Sequence, residues 1–368
     1  MKEKSIKKNY VLNLIYEMFA LLVPVFVMPY VSRVLGANGV GVYSYTYSIV
    51  YYFMLLGALG FTTYARRELA KVRENKKSKY KIFWEVTITK IITCVLSVLF
   101  YEVIIIVFFK NTYYFQFLQI IVIYIIGTAF DIIYYYQAQE DFEKIVIKNI
   151  IIKIIGVVLI FVFIKNSGDL FLYIFIQAFV FLLSNILLWG TLPKEIFKVR
   201  KDELEFKRHI KPAFKLFIPT IASSIYTILD KTLIGILVKD TIIENNVVVN
   251  VSDVEIGVYE QVEKLIKMVI TVLTSLSTII SPRNSYYYAK NEIEKIKKIT
   301  HKTYSYVMLV SLPMIFGILL VSESFCPLFF GSGYEKAPVL MNILSILIFF
   351  IASSGIFRNS ILNCNRRR

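Results

Sequence analysis

Residues 83–109 read FWEVTITKIITCVLSVLFYEVIIIVFF, an apolar stretch broken only by isolated charges. A helix needs about 20 such residues to cross roughly 30 Å of hydrocarbon. Working outward from this stretch, nine further runs of the same kind can be marked, giving ten in all, at 10–35, 40–65, 83–109, 115–137, 145–164, 170–192, 214–238, 254–280, 304–330 and 339–362. Hydrophobic residues make up 57% of the chain, and its mean hydropathy is +0.63. A water-soluble fold has nowhere to bury so much apolar surface. Pro24, Pro29 and Pro313 interrupt the first and ninth runs, which neighbouring helices can tolerate by re-satisfying the freed backbone. A transmembrane β-barrel would alternate polar and apolar residues over about ten positions, and segments 120–126 and 150–155 do not. The reading is an all-α polytopic membrane protein.

The net charge of +16 raises the question of nucleic acid, and the distribution of the charge answers against it. Lys2, Lys4, Lys7 and Lys8 precede the first run. Arg66, Arg67, Lys71, Arg73, Lys76, Lys77, Lys79 and Lys81 follow the second, and Lys144 follows the fourth. Lys194, Lys198, Arg200, Lys201, Lys207, Arg208 and Lys211 follow the sixth, and Arg283, Lys290, Lys295, Lys297, Lys298 and Lys302 follow the eighth. The alternate connections are nearly bare, with Lys110, Lys165, Lys239 and Lys336 as their clear cations. The positive-inside rule therefore places the N-terminus in the cytoplasm and the chain in an inner or plasma membrane. The first run has no small-residue cleavage site behind it and reads as a permanent helix.

The basic connection 193–212 divides the chain into an N-terminal lobe of six helices, 1–200, and a C-terminal lobe of four, 201–368. Ser32-Arg33-Val34-Leu35-Gly36 followed by Gly41-Val42-Tyr43 is echoed by Asp230-Lys231-Thr232-Leu233-Ile234-Gly235 followed by Gly257-Val258-Tyr259. An echo at corresponding helices points to duplication, and two homologous bundles are the architecture of many secondary transporters.

No phosphate-cradling loop or nucleophile elbow occurs, so neither ATP hydrolysis nor another enzymatic activity is expected, and no cofactor. Cys94, Cys326 and Cys364 are too few and dispersed for a zinc site or a disulfide framework and read as reduced packing residues. His209 and His301 fall in basic loops and read as solvated. Ionisable residues inside the spans are more telling, because each costs about 2.5–3.5 kcal/mol at a helix centre. Glu17, Lys90, Asp131, Lys153, Asp230 and Lys231 are the candidates. Lys90 is placed to snorkel towards the cytoplasm. Arg33 fits either an interfacial anchor or a cavity, and Asp230 with Lys231 is read as cavity-lining. Glu260 with Lys264, and Glu263 with Lys267, have the order and spacing of intrahelical ion pairs, compatible with a self-neutralised helix end or with a cavity wall. The tyrosines at 51–52, 134–136 and 286–288 read as interfacial belts or packing.

Several stretches together resemble the Wzx-type polysaccharide flippases of the multidrug, oligosaccharidyl-lipid and polysaccharide exporter superfamily. They are Pro29-Tyr30-Val31-Ser32-Arg33-Val34-Leu35-Gly36-Ala37 with Gly39, Gly41 and Tyr43; Arg66-Arg67-Glu68-Leu69-Ala70; and Tyr136-Gln137-Ala138-Gln139-Glu140-Asp141-Phe142. Phe217-Ile218-Pro219-Thr220, Leu229-Asp230-Lys231 and Ser281-Pro282-Arg283 continue the set. The resemblance implies two six-helix lobes around a cationic cavity that opens alternately to each side. It implies a substrate of polyprenyl-pyrophosphate-linked oligosaccharide, with membrane lipids, and a polysaccharide polymerase and glycosyltransferases, as partners. On that reading Arg33, Lys231 and Lys264 attract the pyrophosphate, while Glu17, Asp131, Asp230 and Glu260 couple ions or balance charge. An ion-coupled drug exporter of the same superfamily and a membrane polysaccharide polymerase are the alternatives. The first calls for an acid-dominated cavity, and the second for a larger outward loop than 239–253. The tail from Arg358 to Arg368 departs from the resemblance, and a frameshift just before Arg358 is the expected cause, which would remove two helices of the second lobe.

Overall fold

In the computed structural model, residues 6–199, 204–244, 247–290 and 292–357 are described, so the tail from Arg358 lies outside them. The first two apolar runs lie on α1 (Ile6–Ala58), where two helices meet at Gly36, whose φ of 69° and ψ of 175° are non-helical. Without a Cβ, glycine adopts that geometry at little cost, so one residue makes the corner for which a loop was expected. Leu59 and Gly60, both at positive φ, separate α1 from α2 (Phe61–Lys71). The Asn75 side chain accepts from the Ser78 N–H at 3.1 Å and caps α3 (Lys76–Phe109).

The fourth run is divided among α4 (Phe115–Ile121), α5 (Ile123–Ala129) and α6 (Ile133–Ala138). The fifth and sixth lie on α7 (Phe142–Phe163) and α8 (Leu170–Leu187), and α8 is preceded by a turn in which Asp169 accepts the N–H groups of Lys165 and Asn166. The seventh lies on α9 (Lys207–Leu237), bent by 55° between Lys207–Ile225 and Thr227–Leu237. The eighth to tenth lie on α10 (Val251–Ala289), α11 (Ile293–Phe330) and α12 (Ala337–Phe357). Counted by length and composition among the described residues, seven helices can cross a membrane, or eight with bent α9 as one span: of the ten expected runs the first two are merged, and the charged α10 is not among those that qualify.

One element departs from the all-helical reading. The connection 239–253 holds a hairpin of β1 (Thr241–Glu244) and β2 (Val247–Asn250), antiparallel, with Thr241 opposite Asn250 and Glu244 opposite Val247. Its β-branched Thr, Ile and Val side chains favour a pleated strand over a helix.

The helices leave apolar faces uncovered. On α3, Ile92, Leu96, Leu99, Val103 and Val107 are exposed, and on α7, Ile147, Ile151, Ile154, Val158 and Val162. That three-and-four spacing is one side of a helix, and contiguous apolar surface of this size is what lipid covers. Between helices, lipid tails are as apolar as leucine, so close packing and hydrogen bonds must supply cohesion. The Ser97 hydroxyl donates to the Phe53 carbonyl at 2.6 Å, Thr93 to the Gly57 carbonyl at 2.6 Å and Asn185 to the Gly127 carbonyl at 3.0 Å.

The chain forms two compact units. The first is Met1–Val27 with Asn38–Ile256, and the second is Met28–Ala37 with Gly257–Arg368. In the first, Phe61, Leu69, Phe83, Ile132 and the tyrosines at 134–136 share one buried cluster where α2, α3 and α6 meet. In the second, α11 packs along α12, and Gln261 donates to the Ser32 hydroxyl at 3.0 Å.

Candidate functional site

The break between α5 and α6 places the first polar group inside the bundle. The Asp131 carboxylate accepts the Ile133 N–H at 2.9 Å, a local bond that opens α6. Its backbone carbonyl accepts from Lys90 Nζ, which also lies 5.2 Å from the centre of the Tyr134 ring. Lys90 is 0% exposed. It therefore does not snorkel as the sequence suggested: the carbonyl freed by the helix break, with an aromatic face beside it, gives the ammonium a partner inside the protein. Lys148 on α7 is buried as well.

Lys231, on the second segment of bent α9, is 6% exposed. Its backbone N–H donates to the Asp230 carboxylate at 2.8 Å, and the next residue, Thr232, donates to the Ser48 hydroxyl at 3.0 Å and meets the Tyr52 hydroxyl at 3.3 Å. This part of α9 is thus tied to the second segment of α1, within the first unit.

The other predicted cations belong to the second unit. Arg33 donates to the Leu328 carbonyl at 2.5 Å, near the C-terminus of α11, where unpaired carbonyls and the helix dipole favour a cation. Gly331 just beyond allows it: a Cβ there would stand 2.9 Å from Arg33 Cγ. Lys264 pairs with Glu260 at 2.7 Å and Lys267 with Glu263 at 2.6 Å, so both intrahelical pairs read from the spacing form. Glu17 falls on α1, but its side chain lies outside the described residues.

A second polar cluster escaped the sequence. Glu85 on α3 is fully buried, and its Oε2 accepts from Arg208 at 2.5 Å and lies 2.7 Å from His209 Nε2. Its Oε1 accepts the Glu205 N–H at 2.7 Å, with Lys81 3.8 Å away. On the other side of the ring, His209 Nδ1 lies 2.8 Å from the Tyr64 hydroxyl, and the Arg208 Nε–H is directed at Nε2 at 3.2 Å. His209 is 2% exposed and is not the solvated loop residue expected of it. His301, by contrast, is exposed. Tyr134, Tyr135 and Tyr136 are packing residues, with Tyr136 donating to the Leu188 carbonyl at 2.8 Å. Among the described residues no group of three His, Cys, Asp or Glu side chains is placed to hold a metal ion.

Long apolar helices with lipid-facing sides and lysines buried between them define a multi-pass membrane protein of transporter architecture. The fold is similar to that of the multidrug transporter DinF-BH of the MATE kind, with a TM-score of 0.58, 14% identity, and coverage of 100% of this chain and 85% of that one. It is similar too to an inward-facing multidrug resistance transporter of the MATE family, with a TM-score of 0.57, 11% identity, and coverage of 94% and 84%.

The chain belongs to the polysaccharide biosynthesis protein family, which matches residues 6–288. Among relatives, a protein of Escherichia coli (strain K12) named as an O-antigen transporter is 21% identical over 96% of this chain and 82% of its own length. A protein of Haloferax volcanii named as a low-salt glycan biosynthesis flippase is 25% identical over 37% of this chain and 28% of its own.

Proposed function

We propose that the chain flips polyprenyl-pyrophosphate-linked oligosaccharide repeat units across the cytoplasmic membrane for surface polysaccharide synthesis. The observation that carries this reading is membership of the polysaccharide biosynthesis family over residues 6–288, on a fold of the transporter kind. Such a substrate needs a protein. Its charged, hydroxyl-rich head loses hydration in hydrocarbon, at a Born cost of tens of kcal/mol for an ion. The head then crosses through a polar route by alternating access while the polyprenyl tail stays in lipid. The chain acts as a transporter and not as an enzyme, in the inner or plasma membrane with its N-terminus cytoplasmic, the side on which Lys and Arg concentrate. Glycosyltransferases supply its substrate and a polymerase consumes its product.

Two homologous lobes, 1–200 and 201–368, serve this cycle in our reading. Arg33, Lys231 and Lys264 attract the pyrophosphate, Arg33 by two parallel bonds and the lysines as point charges. The burial of Lys231 in an apolar helix supports its place in the set, since a charge is costly there unless it faces a polar route or a partner. Glu17, Asp131, Asp230 and Glu260 couple ions or balance these cations.

The test is export in cells that carry the cognate sugar pathway and no other flippase. Arg33→Ala and Lys231→Ala should each lower export of the lipid-linked sugar at unchanged protein level in the membrane, and together should abolish it. Full export by the double variant would reject these sites.

A further inference from the structure

Within the first unit, α1, α5, α7 and α8 line an open cavity of about 330 Å³. Tyr43 and Tyr47 line it from α1, Tyr124 from α5, Asn149 and Lys153 from α7, and Gln177 from α8. Each of these residues belongs to an apolar run, where polar side chains are expensive and seldom without a function. The aromatic wall is ordered. The Tyr43 and Tyr124 hydroxyls are 2.9 Å apart, and the Tyr47 ring stands edge-on to Tyr124 at 5.1 Å and tilted against Tyr43 at 5.9 Å. Behind it, Tyr43 packs edge-on against Tyr173 at 5.3 Å, and Gln177 donates to the Tyr173 hydroxyl at 2.9 Å.

We infer that this cavity is a sugar-binding subsite, accepting one ring of the oligosaccharide head and favouring a ring that bears an acidic group. The assignment rests on the proposed flippase reading for the source of the sugar, and on the chemistry of the walls for the class of ligand. Aromatic faces suit the C–H surface of a pyranose. Phenol hydroxyls and the Asn149 and Gln177 amides both donate and accept, as sugar hydroxyls do. The volume stands at the lower end of the roughly 300–1,000 Å³ of small-molecule sites, room for a ring and not for a repeat unit. An aromatic cation, the other natural guest of a tyrosine-lined pocket, is disfavoured: Lys153 brings a like charge, and no carboxylate lines the cavity among the described residues.

The experiment uses the full chain purified in detergent. Saturation-transfer NMR is recorded with the methyl glycosides of glucose, galactose, N-acetylglucosamine and glucuronic acid, and separately with the aromatic cation tetraphenylphosphonium. At least one glycoside should show ring-proton transfer, competed by free sugar, with the glucuronide strongest. Tyr47→Ala should weaken that binding about tenfold, the scale of losing one stacked face, while Tyr47→Phe, which keeps the face, should retain it. Gln177→Leu, which preserves volume, should also weaken it, and Lys153→Gln should erase the preference for the glucuronide. Absence of transfer to every glycoside, binding indifferent to both Tyr47→Ala and Gln177→Leu, or tighter Tyr47-dependent binding of the cation would each overturn the assignment. Export in cells separates this inference from the function beneath it. Export by the wild type that persists undiminished in the Tyr47→Ala and Gln177→Leu variants sinks the subsite alone, whereas no export by the wild type, with glycoside binding intact, sinks the flippase reading alone.

Discussion

Glu85 is the centre of a buried polar cluster: Arg208 and the Glu205 N–H donate to it, and His209 Nε2 lies 2.7 Å from the same carboxylate. Hydrogen bonds to a buried charged group are worth about 1.5–3 kcal/mol each. Arg208 keeps water access, with 43% of its side chain exposed, so the larger loss on removing the carboxylate falls on buried His209 and the Glu205 amide. Glu85→Ala should therefore destabilise the protein by about 2–3 kcal/mol, and Glu85→Gln by less, since an amide oxygen can still accept the Glu205 N–H. Thermal unfolding in detergent checks this, and an unchanged midpoint in Glu85→Ala would deny the cluster a structural role. This contact was not legible in one sequence. Glu85 and His209 are separated by 124 positions, and each taken alone resembles an ordinary residue at the edge of a basic loop. Lys90 failed for the opposite reason: snorkelling is a sound default near a helix end, and only the position of the Asp131 carbonyl shows that a nearer partner exists.

At the scale of elements, the helices were legible because the bilayer fixes their length and composition. The single-residue corner at Gly36 could be anticipated only as a place between two runs. The hairpin of β1 and β2 passed as a loop, since each strand is only four residues long, too short for its pattern to stand out from an irregular connection. That hairpin leads into the first turn of α10, where Asp253 accepts from Tyr114 at 2.9 Å and from Asn250 at 3.1 Å. The second segment of α1 presses on the same point: a Cβ on Gly41 would stand 1.6 Å from the Asp253 carbonyl oxygen. Burial pushes the Asp253 carboxyl up from 3.8 to about 6, and the bonds from Asn250 and Tyr114 offset only part of this. The folded form thus holds the proton more tightly than the unfolded form. The stabilisation from protonation is complete below about pH 4 and is lost as pH rises through about 6, a change of about 2–3 kcal/mol. Hydrogen exchange of residues 241–256, corrected for intrinsic rates, should show stronger protection at pH 5 than at pH 7, and Asp253→Asn should remove the difference. An undiminished pH dependence in Asp253→Asn would assign it to another group.

For the molecule as a whole, the fold and the family place the chain among helical membrane transporters. Hydropathy made the architecture readable, and motif order made the family readable. The candidate site was readable only as a set of costly residues: the sequence marked Arg33, Lys231 and Lys264, and the four-residue spacing marked the Lys264–Glu260 pair, but nothing in it showed that Arg33 caps α11. The central claim is translocation itself. The most direct measurement reconstitutes the purified chain in vesicles with the lipid-linked repeat unit extracted from its cognate pathway, fluorescently labelled on the sugar, and follows quenching by a membrane-impermeant reductant. On this account, protein-containing vesicles progress from partial to complete quenching much faster than protein-free ones, and the Arg33→Ala, Lys231→Ala variant stays at the protein-free rate. Quenching that stalls at the outer-leaflet fraction in both preparations would contradict it.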